Sequence, residues 1–252
     1  MFDEFKNIIL QAGEILKEGF YAKKDVIFKG KKDLVTKYDI AIEEFLKQKF
    51  KKLNYSIIAE ESVKEEFNNS IIIDPIDGTT NFANKLPFCA ISVAVYENKK
   101  PKYGFVYNPI LNEFFSAQKG GGAFLNGKKI AVSKEKNFQK ALIATGFPYS
   151  NSENIKDLEW VVRNLKNVLP NCQDIRRFGS AAIDLCYTAN GNFEGFYEIN
   201  LKPWDVAAGI LILSEAGGTI TNNFGNTYDI FNDKAIVATN SFIHNELLEL
   251  LN

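Results

Sequence analysis

Residues 74 to 81 read Asp-Pro-Ile-Asp-Gly-Thr-Thr-Asn, directly after the apolar run Ile71-Ile72-Ile73. Asp74 and Asp77 thus stand at the end of a buried strand, where Pro75 and Gly78 turn the backbone. Two carboxylates on a rigid turn are hard oxygen donors, suited to a hard cation. The turn opens a short helix whose free N–H groups can meet a phosphate, with the hydroxyls of Thr79 and Thr80 beside them. The segment points to metal-assisted phosphate chemistry.

More acids stand at comparable places. Glu60 and Glu61 follow Ile57-Ile58-Ala59; by spacing alone such a pair is solvated surface. A short loop later the next apolar run ends in Asp74 and Asp77. Neighbouring strands that both end in carboxylates would focus negative charge, which is costly without cations. Asp39 follows Asp33-Leu34-Val35-Thr36 at the entrance to a helix, where it also reads as a helix cap. Asp205 follows Pro203-Trp204 at another helix start, where the helix dipole alone would favour an acid.

The elements that must position these acids follow from periodicity. Phe2, Phe5, Ile9, Ala12, Leu16 and Phe20 predict an amphipathic first helix, and Ile42, Phe45, Leu46 and Phe50 a second over Ile40 to Phe50. Lys23 to Tyr38 reads as a loop or short hairpin. Strands are predicted at Ser56–Ala59, Ile71–Asp74, Ala90–Tyr96 and Tyr103–Tyr107, and turns at Asn108-Pro109 and Asn126-Gly127 make 86–132 an antiparallel meander. Ser133 to Gln139 is the candidate boundary. Beyond it a strand at Leu142–Thr145 precedes helices at Asn154–Val168 and Ser180–Thr188. A strand at Gly195–Ile199, a helix at Pro203–Ala216 and a final helix from Ser241 complete the chain. The expectation is an α/β protein of layered sheets and helices, one domain over 1–252 with packed halves 1–132 and 133–252.

Composition excludes several classes. A length of 252 residues allows a full core, and 30 basic against 31 acidic residues argues against general nucleic-acid binding. Cys89, Cys172 and Cys186 have no motif spacing, so neither a disulfide framework nor a zinc site is expected. No membrane-length apolar stretch and no secretory signal are visible, so the expected compartment is the cytoplasm. His244, the only histidine, is placed on the polar part of a terminal helix, leaving no His-based catalysis. Lys119-Gly-Gly-Gly122 lacks the ending of a phosphate-binding loop and reads as a hairpin.

Taken in order, Lys29-Gly-Lys-Lys-Asp33-Leu-Val-Thr-Lys-Tyr-Asp39, Ala59-Glu60-Glu61-Ser62, Asp74 to Asn81 and Trp204-Asp205-Val-Ala-Ala-Gly209 resemble the inositol monophosphatase family. Gly122 to Gly127, Gly179-Ser-Ala-Ala182 and Glu215 to Gly218 extend the resemblance over nearly the whole chain. It implies an αβαβα sandwich and a Mg2+-dependent, Li+-inhibited phosphatase acting on a small phosphorylated substrate such as myo-inositol 1-phosphate. One metal would bind Glu60, Asp74 and the Ile76 carbonyl, and a second Asp74, Asp77 and Asp205. A third would lean on Glu60.

The resemblance further implies that Glu60 and Thr79 orient the attacking water, with Asp39 bonded to Thr79 and helping to accept the proton. The amides of Gly78 and Thr79 would hold phosphate oxygens, and Lys29, or its neighbours Lys31 and Lys32, would approach the metals from a loop. Glu198, with Gly179, Ser180 and Ala181, would line the sugar side with Asp205; Ser180 also reads as a helix cap. Arg176 and Arg177 would lie near substrate or a dimer interface. The alternatives are fructose 1,6-bisphosphate, adenosine bisphosphate, NADP or histidinol phosphate as substrate. A homodimer is expected, and some bacterial members also bind the transcription machinery.

Overall fold

The apolar stripe at the start of the chain forms helix α1 (Phe2–Tyr21), with Phe5, Ile9, Ala12 and Leu16 fully buried. The computed structural model describes residues 1–22, 26–28, 34–60, 68–148 and 155–252. Lys29, Lys31, Lys32, Asp33 and Glu61 lie outside the described residues. Strands β1 (Val26–Phe28) and β2 (Leu34–Thr36) pair antiparallel as a hairpin. Helix α2 (Lys37–Phe50) begins three residues before the apolar period starts at Ile40. The reason is a reciprocal cap: the Asp39 and Tyr38 amides donate to the Thr36 hydroxyl, while the Thr36 amide donates to Asp39 Oδ2 at 2.8 Å. Asp39 is the third helical residue, so the N-cap is Thr36.

The first sheet holds β3 (Ser56–Ala59), β4 (Ser70–Asp77), β5 (Ala90–Glu97), β6 (Lys100–Asn108), β7 (Glu113–Gln118), β8 (Gly122–Leu125) and β9 (Lys128–Ile130), in that order. Only β3 and β4 run parallel; the rest is the meander. Asn126 and Gly127, at φ of 50° and 79°, make the two-residue β8–β9 turn. Lys119 to Gly121 connect β7 to β8, confirming a hairpin, and the Gly122 amide is held by Glu215. A short helix α3 (Thr79–Ala83) follows β4 directly.

The second half contains β10 (Leu142–Thr145), α4 (Ile155–Val168), β11 (Asp174–Arg176), α5 (Ala181–Ala189), β12 (Gly195–Ile199), α6 (Pro203–Glu215), β13 (Thr219–Asn222), β14 (Ala235–Thr239) and α7 (His244–Leu251). Its sheet has the order β11-β10-β12-β14-β13. β11, β13 and β14 were not foreseen: β11 is three residues long, and Thr219-Ile-Thr-Asn alternates too little polarity to stand out. The last helix starts at His244 rather than Ser241, because Asn240 Oδ1 accepts the Phe242 and Ile243 amides in a turn before it. His244 is buried, not on a polar face, with its ring nitrogens bonded to Thr221 and Thr239 hydroxyls.

Layers follow from which faces are apolar. On β4 and β5, Ile71, Ile73, Ile91, Val93 and Val95 pack with α1 and α2, while Ile72, Ala90 and Ala94 pack with α5 and α6. Burial on both faces is why these strands read as unbroken apolar runs. α5 and α6 are sandwiched between the sheets, since the same cluster includes Ala144, Phe196, Ile236 and Ala238. α4 and α7 cover the far face through Val168, Leu247 and Leu251. The result is an α/β sandwich in five layers, helix and sheet alternating.

Asn81 stitches the first sheet to the loop before α5. Its side-chain amide donates to the carbonyls of Phe88 at 2.7 Å and Phe178 at 2.6 Å, and the residue is buried. Asn81→Ala strands both carbonyls, and each buried unsatisfied group costs about 1–3 kcal/mol. The variant is expected to lower the urea midpoint with an unchanged slope; a midpoint equal to the parent's contradicts this role.

Candidate active site

Strand β4 carries one residue too many for its partner. Asp74 pairs with Ser92 but Asp77 with Ala90, so three steps on β4 meet two on β5. That is a bulge, and Pro75, with no N–H to give, falls within it. The strand therefore continues through Pro75 to Asp77, beyond the end expected at Asp74. The bulge also resets the pleat. Strict alternation would send Asp77 to the face of Ile71 and Ile73; instead Ile76 takes that face, and Asp77 turns toward α5, as Asp74 turns toward α6.

Asp77 is received there by the Ser180 hydroxyl at 2.6 Å and the Ala182 amide at 2.7 Å. Asp205 arrives from the first turn of α6, where it accepts the Lys202 amide at 2.7 Å. Asp74 accepts the Ile76 amide at 3.0 Å. Oxygens of Asp74, Asp77 and Asp205 lie within 4.8 Å of one another, and each residue is at most 3% exposed. Glu60 follows β3, the parallel neighbour of β4, and is half-buried. It stands outside this tight trio, close enough for its charge to act on Asp74.

The Thr79 hydroxyl lies between Ile76 and Asp39, 2.9 Å from the Ile76 carbonyl and 3.2 Å from Asp39 Oδ1. The N-cap of α3 is Gly78, at φ 86°, where a Cβ would sit 2.7 Å from the Phe88 carbonyl. Gly179, at φ 80°, leads into α5, and Ala181 is its buried first residue. Ser180 caps α5 and gives its hydroxyl to Asp77, so what it leaves for a ligand is backbone. Glu198 lies within β12, 8% exposed. Arg176 pairs with Asp174 on the surface, while the Arg177 guanidinium lies over the Phe147 ring. Lys29 is outside the described residues.

Burial raises the whole group. Asp39 is pushed up to about 6 by desolvation, against the hydrogen bonds from Thr36 and Thr79. Asp77 reaches about 6 and Asp205 about 7, again chiefly through desolvation, with the Asp77 charge adding to Asp205. Asp74 is held well above the carboxylate range by burial, then by Glu60, Asp77 and Asp205. Among the described residues no lysine or arginine forms an ion pair with the trio. Converging buried carboxylates with a carbonyl nearby fit a hard divalent cation, which would relieve their repulsion.

Some participants escaped the sequence reading. Thr36 was legible, since Thr-x-x-Asp at a helix start has capping-box spacing. Asp184 interrupts the apolar run Ala181 to Cys186; it is buried, neither of its oxygens has a hydrogen-bond partner, and desolvation with the Glu198 and Asp77 charges holds it well above the carboxylate range. An acid inside an apolar helix face was the available signal. Gly146, opposite Glu198, gave none.

The raised values have a consequence for stability. Asp39, Asp77 and Asp205 bind protons more tightly in the folded chain than at the ordinary value of 3.8. The folded state then holds more protons between about pH 4 and 7, so metal-free stability falls as pH rises through that window. The thermal midpoint in chelator is expected to be lower at pH 7.5 than at pH 5, and Mg2+ to raise it more at pH 7.5. A midpoint that rises with pH in chelator would refute this.

Comparison with known proteins agrees with this geometry. The profile of the inositol monophosphatase family matches residues 3–252. Inositol monophosphatase 2 of Solanum lycopersicum is 39% identical, covering 99% of this chain and 98% of its own. Nus factor SuhB of Pasteurella multocida is 38% identical over 86% of this chain and 84% of its own. The crystal structure of extragenic suppressor protein suhB from Bartonella henselae superposes with a TM-score of 0.92 at 36% identity, covering 99% of this chain and 97% of that one. Match, fold and buried acid trio lead to one conclusion: the chain belongs to the inositol monophosphatase family and is a phosphoric monoester hydrolase.

Proposed function

We propose that the protein is a magnesium-dependent phosphatase that releases phosphate from a sugar-alcohol or sugar monophosphate, with myo-inositol 1-phosphate as reference substrate. The observation that carries this reading is the convergence of Asp74 and Asp77 with Asp205, three buried acids from two sheets' worth of chain, beside Thr79 and Asp39. Glu60, Asp74 and the Ile76 carbonyl would hold one ion, and Asp74, Asp77 and Asp205 a second; a third would lean on Glu60. Bound there, magnesium supplies Lewis-acid polarisation of the phosphoryl group and acidifies water.

The chain's own groups do the rest. Glu60 and the Thr79 hydroxyl orient a water for in-line attack on phosphorus. Asp39, whose carboxyl near 6 suits a proton acceptor at neutral pH, helps take the proton through its bond to Thr79. The amides of Gly78 and Thr79 bind phosphate oxygens, and Lys29, outside the described residues, would serve as a cation near the metals. Glu198, with Gly179, Ala181 and the backbone of Ser180, faces the sugar together with Asp205. The P–O bond to the alcohol breaks as the water oxygen bonds to phosphorus, and no phosphoenzyme forms. Three free thiols fit the cytoplasm. No helix among the described residues is long and apolar enough to cross a membrane. A homodimer is the proposed assembly.

A second role is favoured by one observation, the name Nus factor carried by the Pasteurella multocida relative. The protein would then also bind the transcription machinery. A tagged chain is expected to recover RNA polymerase or elongation factors from its own cell extract; their absence beside normal phosphatase turnover removes this role.

The catalytic reading is tested by phosphate release with Mg2+, with and without Li+. Substrates compared are inositol 1-phosphate, fructose 1,6-bisphosphate, adenosine 3′,5′-bisphosphate, NADP and histidinol phosphate. Inositol 1-phosphate is expected to be turned over best, and Li+ to inhibit. Asp77→Asn and Asp205→Asn should each reduce kcat by more than the roughly hundredfold that losing an outer partner of a metal ligand costs, with circular dichroism unchanged. Full Mg2+-dependent turnover in either variant would sink the assignment.

A further inference from the structure

The parallel pairing of β10 with β12 sets Thr145 opposite Tyr197, and the Thr145 hydroxyl locks that register on the Tyr197 carbonyl at 2.8 Å. Gly146 directly follows the end of β10, and Glu198 follows Tyr197 in β12. A Cβ built on Gly146 would overlap the Glu198 carboxyl carbon and both its oxygens. The carboxylate therefore occupies the volume that a side chain at 146 would fill. Gly146 does not lie in the left-handed region, so its backbone does not require glycine; the space does.

The facing charge is seated in a similar way. Arg177 Nη1 lies 2.9 Å from where a Cβ of Gly179 would be, and its guanidinium is 5.1 Å over the ring of Phe147, the residue after Gly146. Two positions without side chains thus make room for an acid and a base. Arg177 is the cation acting on Glu198, whose other charged neighbours are Asp205 and Asp77. A carboxylate accepts hydrogen bonds and a guanidinium donates them. Adjacent hydroxyls, each able to donate and accept, are what such a pair recognises.

We propose that Gly146 is a specificity-determining position: its missing side chain makes the space in which the Glu198 carboxylate is held, opposite Arg177, for a substrate bearing adjacent hydroxyls. The proposal rests on the reading that Glu198 binds substrate hydroxyls. A residue at 146 acts through Glu198, so it is a positioning residue and touches no reacting atom.

The experiment compares kcat/KM for inositol 1-phosphate with that for p-nitrophenyl phosphate, which has no hydroxyls, in the magnesium-loaded enzyme. Glu198→Gln establishes how far the ratio depends on that carboxylate. Gly146→Ala is expected to lower the ratio about tenfold or more, the scale of a lost hydrogen bond to a charged group, with the change in KM rather than kcat. Glu198→Asp draws the carboxylate back by one methylene, so Gly146→Ala added to Glu198→Asp should cost less than in the parent, a coupling that general loosening would not give. Equal losses on both substrates, or an unchanged ratio in Gly146→Ala while Glu198→Gln lowers it, overturns the proposal. An unchanged ratio in Glu198→Gln overturns both this inference and the role of Glu198 in binding hydroxyls. Mg2+-dependent p-nitrophenyl phosphate turnover there leaves the phosphatase reading standing.

Discussion

Asp74, Asp77 and Asp205 are like charges confined in a buried space, with oxygens within 4.8 Å of one another. In a partly polar interior, two unit charges that close repel by roughly 3–4 kcal/mol. Much of the architecture around them offsets that cost. The Ser180 hydroxyl and Ala182 amide hold Asp77, the Lys202 amide holds Asp205 and the Ile76 amide holds Asp74. These donors fix orientation but do not neutralise charge. A divalent cation would, and the repulsion of acids kept together without one would favour its binding.

That confinement depends on a single inserted residue in β4. Without the bulge Asp77 would point into the Phe-rich core beneath α1 and α2. With it, two acids three apart share a face, and Thr79 follows at the start of α3 within reach of Asp39. α6 then supplies Asp205 because Pro203 and the Lys202 amide start that helix against Asp74's side of the sheet, with Ser92 holding the Trp204 carbonyl. The three buried acids therefore sit on strand and helix ends of the scaffold. The residues proposed to face the sugar come separately, from β12, the end of β10 and the loop before α5.

The separation has a chemical logic. On the proposed reading, the acids and Thr79 answer to the phosphoryl group common to every substrate, while Glu198, Arg177 and the space at Gly146 answer to the leaving alcohol. Asp184 lies between the two, buried with no hydrogen-bond partner, and Glu198 and Asp77 both act on it. Burial, with those two charges, holds its carboxyl well above the usual carboxylate range.

The sequence by itself determined much of this. The run ending in Asp-Pro-Ile-Asp-Gly-Thr-Thr pointed to metal-assisted phosphate chemistry, because two acids on a rigid turn after an apolar strand are hard oxygen donors. Periodicity placed α1, β3, β10, β12 and α6 nearly to the residue, since each buries a face whose spacing is its geometry. The edge strands β11 and β13 were not legible, because short segments of mixed polarity leave no period, and β14 is a five-residue apolar run too short to show one. Nor was the commitment of the Ser180 hydroxyl to Asp77, or the buried place of His244, for both depend on partners far away in the chain. Only the tertiary structure decided that Asp77 faces α5, because a bulge is defined by the register of two strands. Only it placed the Glu198 carboxylate in the space beside Gly146, because what fills the volume of an absent side chain is set by a neighbour distant in the chain.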